Sequence, residues 1–195
     1  MINVLENKEI FKELCIKSIK KEGIQELLDY LENQTDFFTA PASSRFHLAC
    51  CGGLCQHSLN VYNRLLQECQ NEYGNDVAEE NLESITIVSL LHDICKADYY
   101  KADTRNVKEN GVWKQVPYYS VDDKYPFGHS EKSIALIVQY MPLTLEEMAA
   151  INSHMGFSDV RVKGGDYSCV NSWDKYPLGL LLHIADLKAT KLDEK

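Results

Sequence analysis

Ile85-Thr86-Ile87-Val88-Ser89-Leu90-Leu91-His92-Asp93-Ile94-Cys95-Lys96 is the stretch on which the reading turns. Up to Leu91 it reads as a plain buried helix. A carboxylate beside an imidazole at the end of such a run is costly to bury unless something pairs with it. A divalent cation satisfies both side chains, and imidazole with carboxylate is the donor set of ions that activate water. On a helix His92 and Asp93 stand about 100° apart and can lean toward one ion near its C-terminal end. Lys96 follows Asp93 by three residues and His92 by four, on the same face. An ammonium there would repel a metal in direct contact and suits a phosphate oxygen just outside the ligands. The alternative is a solvated helix-end lysine that stabilises the helix dipole.

Outward from this stretch the pattern is mostly helical. Apolar residues at helical spacing from about 8 to 32 predict one or two helices, and Thr35 to His47 reads as loop. Gly52-Gly53 precedes a helix from Leu54 to about Glu72 that carries His57 in its first turns. A single apolar helix is expected over about 77–97, with the doublet at its end. Between Tyr99 and Asp123, Glu109-Asn110-Gly111 separates two runs rich in aromatic and β-branched residues, a hairpin signal. Helices are expected again over about 130–139 and 145–154, then a loop through Gly164-Gly165, then a last helix over about 177–191. The fold class is therefore all-α with a small β-hairpin insertion at about 99–123. One domain fills 1–195, as a helical N-terminal extension over about 1–35 and a core over about 38–193.

The 195 residues carry a net charge of −9 and 45% hydrophobic residues. That balance excludes the broad basic footprint of a protein that binds long nucleic acid, but not a small nucleotide beside a bound cation. No run reaches the roughly 18 apolar residues of a membrane span. The seven cysteines, odd in number and without a C-x-x-C pair, together with an N-terminus lacking a signal-peptide pattern, indicate free thiols in a reducing cytoplasm. No heptad or exposed apolar stripe demands a dimer, and the oligomeric state is left open.

Further histidines and acids join the doublet in a defined order: His57, His92-Asp93, His129, His154 and Asp186, the last with His183 three residues before it. The order H…HD…H…H…D resembles the HD superfamily of metal-dependent phosphohydrolases. Local stretches carry the likeness too: Gly52-Gly53-Leu54-Cys55-Gln56-His57-Ser58, Leu90 to Lys96, Gly128-His129-Ser130, Ser153-His154-Met155-Gly156 and Leu182-His183-Ile184-Ala185-Asp186. Cys95 departs from the glycine usual in the dinuclear branch. The resemblance implies an HD-type helical bundle and two divalent transition-metal ions, with Mn, Fe, Co, Ni and Zn equally suited. It gives His57, His92, Asp93 and Asp186 to one ion, and Asp93, His129 and His154 to the other. A hydroxide between the ions would attack phosphorus, and Lys96 would steady a phosphoryl oxygen. Arg45, Lys132 and His183 are implied as substrate contacts. With a single ion, His129 and His154 would instead bind phosphate or protonate the leaving group. The substrate expected is a small phosphomonoester or phosphodiester, a nucleotide or short oligonucleotide.

Competing readings attach to the same residues. The chain could be a non-catalytic, metal-containing nucleotide-binding or sensing module. Cys50, Cys51, Cys55 and His57 could instead form a structural zinc site, though not at a standard spacing. The aromatic residues Tyr99, Tyr100, Trp113, Tyr118, Tyr119 and Tyr125 could stack a base, but are read as packing the hairpin on the helical body. His47 is read as a structural or surface residue, and Lys101, Arg105, Lys108 and Lys114 as a solvated face. Glu146-Glu147 is read as stabilising a helix N-terminus.

Overall fold

The computed structural model describes residues 2–194. Ten α-helices follow in chain order among them: α1 (Val4–Ser18), α2 (Ile24–Asn33), α3 (Gly53–Tyr73), α4 (Asn75–Glu80), α5 (Leu82–Leu91), α6 (His129–Ile137), α7 (Leu145–Ser153), α8 (Val160–Lys163), α9 (Ser168–Asn171) and α10 (Leu178–Lys188). Between α5 and α6 stand the strands β1 (Tyr100–Glu109) and β2 (Val112–Val121). The chain is thus mostly helical with one two-stranded sheet. No helix among the described residues is long and apolar enough to cross a membrane.

The core lies where α3, α5, α7 and α10 pack together, with α1 laid across α3 and α5. Leu54 and Leu65 of α3, Ile85, Ile87, Leu90 and Leu91 of α5, Ile151 of α7 and Leu182 of α10 are all fully buried there. The N-terminal helices share this core: Phe11, Leu27, Leu28 and Leu31 belong to the same cluster, and Phe11 packs against Phe37 and Phe38 at 5.1 and 5.6 Å between ring centres.

The apolar helix expected over 77–97 is two helices, broken at Asn81, and the doublet lies beyond the second. His92 caps α5 in helical conformation. Asp93 leaves it with φ −110°, and a short 3₁₀ turn, Ile94–Lys96, follows. Three residues in tight 3₁₀ geometry turn the chain away at once, so Asp93 points inward from a bend and not from a helix face. The last helix also ends early, at Lys188, and continues as a π-helical turn over Ala189–Asp193. The predicted loop around Gly164-Gly165 contains the short helices α8 and α9. Glu147 does more than balance a helix dipole. It closes a capping box with Thr144 and, fully buried, accepts from Ser84 and pairs with Lys21.

The expected hairpin forms, in a register that sets Tyr100 opposite Val121 through Glu109 opposite Val112. Asn110 and Gly111 at its tip have φ of 51° and 81°, the pair of left-handed conformations that a two-residue type I′ turn requires. Of the aromatic residues expected to pack on the helical body, Tyr99, Tyr100, Tyr118 and Tyr119 are half-buried and Tyr99 lies under Lys132 of α6, whereas Trp113 and Tyr125 stand in solvent. Trp113 is 68% exposed and sits beside Lys108 across the strands, while Tyr118 reaches Asp103 and Arg105. The alternating charges that flank these rings form the solvated face the sequence indicates.

Two glycines behave oppositely. Gly53, at the start of α3, is packed so closely on the Leu48 carbonyl that a β-carbon would overlap it, whereas Gly111 faces open space. Gly53→Ala is therefore expected to lower unfolding stability by about 1–3 kcal/mol. Gly111→Ala is expected to cost about 1–2 kcal/mol, through its left-handed φ alone and only in the hairpin, so that the cooperative melt of the helices is unmoved. Denaturant titration by far-UV circular dichroism checks both, and equal losses would contradict the packing described.

Candidate metal centre

Asp93 is 2% exposed and is ringed by four imidazoles and one ammonium. Its two oxygens divide the ring. Oδ1 faces Nε2 of His129 at 2.8 Å and of His154 at 3.6 Å. Oδ2 faces Nε2 of His92 at 3.4 Å, Nε2 of His57 at 3.6 Å and Nζ of Lys96 at 2.6 Å. The Asp186 carboxylate stands 3.3 Å from His57 Nε2. His57-His92-Asp93, His92-His154-Asp186 and Asp93-His129-His154 each form a group able to hold a metal ion.

Helix ends set the orientation of two rings. The last carbonyls of a helix have no partner within it. His92 follows the last residue of α5, and its Nδ1–H donates to the Ser89 carbonyl at 2.8 Å. His154 follows the last residue of α7, and its Nδ1–H donates to the Ile151 carbonyl at 2.7 Å. A carbonyl only accepts, so both rings carry their proton on Nδ1 and turn an Nε2 lone pair inward. His57 is oriented differently, its Nδ1–H donating to the Glu194 carboxylate at 3.0 Å. Nε2 of His92 is buried and has no hydrogen-bond partner.

Lone pairs aimed at a carboxylate repel it, and an orphaned buried imidazole nitrogen is destabilising. Both defects vanish with a cation between the groups. Donors on one ion at about 2.0–2.2 Å lie roughly 3 Å or more apart, which is the size of these gaps. The outer hydrogen bonds on Nδ1 are the kind that orient metal-ligating histidines. The donor set therefore fits divalent transition metals.

Protons and Lys96 balance the carboxylates in the metal-free centre. Burial disfavours the charged form of His57, but Asp186 and Glu194 outweigh it and raise its pKa to about 9. Burial likewise opposes His129, and Cys95 and Asp93 beside it raise it to about 10. Burial pushes Asp93 toward neutrality, yet Lys96 and His92 hold it well below the carboxylate range.

The other expected site residues separate. Lys96 is nearer than expected, paired with Asp93 itself, and lines a cavity of about 210 Å³ with Asp93, His154, His183 and Asp186. His183 donates from Nδ1 to the His154 carbonyl at 2.7 Å and stacks on Trp173. Gly156, at φ +51°, passes under this ring, where any β-carbon would overlap it. Lys132 does not reach this cavity. It is paired with Asp123, lies over the Tyr99 ring and lines another cleft beside the hairpin. Arg45 lines a third, with Cys50, Cys51, Arg105, Tyr118 and Tyr119. The cysteines do not gather into the alternative zinc site: Cys50 and Cys51 are exposed, and no metal-capable group among the described residues contains a cysteine.

Two participants went unrecognised in the sequence. His47 lines the cavity and packs on His57 at 5.0 Å between ring centres. Glu194 is buried against His57 and Asn60. The available signal was the polar series His57, Asn60, Arg64 at helical spacing on α3, a stripe that needs polar partners.

No protein-family model, curated protein or solved structure matches the chain. The geometry yields its own expectation. Metal binding must displace protons from His57 and His129, whose raised pKa values keep them charged at neutral pH, so higher pH removes the competitor. Apparent affinity for Mn²⁺ or Co²⁺ should rise between pH 6 and about 9, with protons released on binding, as calorimetry in buffers of different ionisation enthalpy will show. Affinity that is flat or falls with pH would contradict ligation by these rings.

Proposed function

We propose that the chain is a metal-dependent phosphohydrolase of the HD type, acting on a small phosphomonoester or phosphodiester such as a nucleotide. The observation that carries this reading is the convergence of His57, His92, His129 and His154 on the two oxygens of one buried aspartate. Asp93 has one oxygen toward each set of rings, so it would serve as a ligand in both groups. His57, His92 and Asp186 would complete one ion's ligands, and His129 and His154 the other's. Bound divalent cations would supply an acidified water and neutralise phosphate charge.

The chain's own residues supply the rest. Oriented Nδ1–H donors keep His57, His92 and His154 in the tautomer that presents Nε2, so the site is formed before substrate arrives. Lys96 lines the cavity beside Asp93, where its ammonium would hold a phosphoryl oxygen. His183, anchored on the His154 carbonyl and stacked on Trp173, walls the cavity with Nε2 left for a substrate contact. The cavity is small and partly apolar, with Met155 and Leu187 in its wall, which favours a compact phosphoryl group over a polymer. The net charge of −9 supports the same preference.

A panel of phosphomonoesters and phosphodiesters, nucleotides included, should yield product with Mn²⁺-loaded protein. Lys96→Ala should lower kcat/KM by about 10²–10³-fold, the usual loss for one transition-state donor, while metal content stays at the parent level. Nucleotide and metal bound without any product would replace this reading with the sensing module.

A further inference from the structure

The turn that follows α10 touches the centre at two points. Glu194 is fully buried, and its carboxylate accepts from His57 Nδ1 at 3.0 and 3.1 Å and from Asn60 Nδ2 at 2.9 Å. Four residues earlier in the turn, Thr190 Oγ1 donates to Asp186 Oδ1 at 3.3 Å. The segment is fastened to α3 along its length. Lys188 pairs with Glu68 at 2.7 Å, and Asp193 takes the Arg64 guanidinium in a two-pronged pair. Ala189 is completely buried.

The polar network continues outward from Glu194. Asn60 accepts from Gln56 at 2.9 Å, and Gln56 accepts from Asn7 of α1 at 2.9 Å. His57, Asn60 and Arg64 recur at helical spacing, so one face of α3 receives the whole segment. A buried carboxylate has no hydrophobic reason to be there, and its burial is costly without charge-assisted partners. Among the described residues His57 is the ionisable group hydrogen-bonded to it, and His47 Nε2 stands farther off, at 4.0 Å.

We infer that residues 188–194 form a clasp on the centre, and that Glu194 is a positioning residue for metal binding. It fixes the proton of His57 on Nδ1 and aims Nε2 at Asp93 and Asp186, the task that helix-end carbonyls perform for His92 and His154. The inference rests on the metal reading proposed above. His57 lies in the interior of α3, where the carbonyls around it are already spent on the helix, so its outer acceptor comes from a distant part of the chain. The clasp supplies it.

The test is a Co²⁺ titration of the metal-free full chain, followed by absorbance, with thermal melts in chelator alongside. Glu194→Ala should bind Co²⁺ about 10–100-fold more weakly, as loss of an outer hydrogen-bond partner does. Glu194→Gln keeps an acceptor for Nδ1–H and should recover most of that loss. Phe11→Leu, a core change remote from the centre, should lower the melting temperature and leave affinity within about twofold. Parent-like affinity in Glu194→Ala would overturn the clasp while leaving the metal centre standing. So would a loss matched by Phe11→Leu at equal destabilisation. No Co²⁺ binding by the parent would overturn the metal reading and the clasp together.

Discussion

Asp93 puts a carboxylate at the end of a run of fully buried leucine, isoleucine and valine, and the arrangement of the helix ends follows from that. A lone buried carboxylate would be expected to take up a proton or unfold its surroundings. Here it stays ionised because four imidazoles and Lys96 are brought to it from α3, α6 and the ends of α5 and α7. Each of these elements arrives with an end or a first turn directed at the same point. The apolar residues that pack the bundle thereby also set the distances between the polar ones. The core and the centre are one construction: Leu90 and Leu91 anchor the residue pair that follows them, and Leu182 fixes the helix that carries Asp186.

A second regularity is how the imidazoles are held. His92 and His154 each use a carbonyl of the last turn of the helix they follow, so the helix terminus and the ring support one another. His57 lacks such a carbonyl and takes a carboxylate from the turn after α10. His129 differs from all three, since its Nδ1 meets the Cys95 sulfur at 3.3 Å. Cys95 occupies the position where the resembled dinuclear family has glycine, and its side chain fills space against the one ring that is part-exposed. The departure in sequence and the difference in ring environment thus coincide at one residue.

The helices, the hairpin and its Asn-Gly turn were legible because each rests on local rules: periodicity, turn chemistry and β-branched runs. The order of histidines and acids was legible as well, and the fold brings His57, His92, Asp93, His129, His154 and Asp186 together. What escaped the sequence depended on the chain's path through space. The 3₁₀ turn after α5 is set by packing, and it changed Asp93 from a residue on a helix face into one on a bend. Lys132 was a candidate by residue type, but Asp123, brought close by the return of the hairpin, claims its charge. Trp113 and Tyr125 went against the expectation that large rings pack inward, since the hairpin and the loop after it carry these two away from the bundle. Glu194 and His47 are separated from His57 by long stretches or a loop, and no local pattern ties them to it.

The central claim is that the buried imidazoles and carboxylates are ligands and not an unusual polar core. Elemental analysis of protein prepared without chelator or nickel affinity resin, set beside Asp93→Ala, addresses it most directly. The account predicts close to two transition-metal ions per chain in the parent and their loss in the variant, with helical content retained. A parent that stays metal-free even after soaking with manganese, cobalt, iron and zinc would contradict it, and so would a variant that keeps the parent's metal.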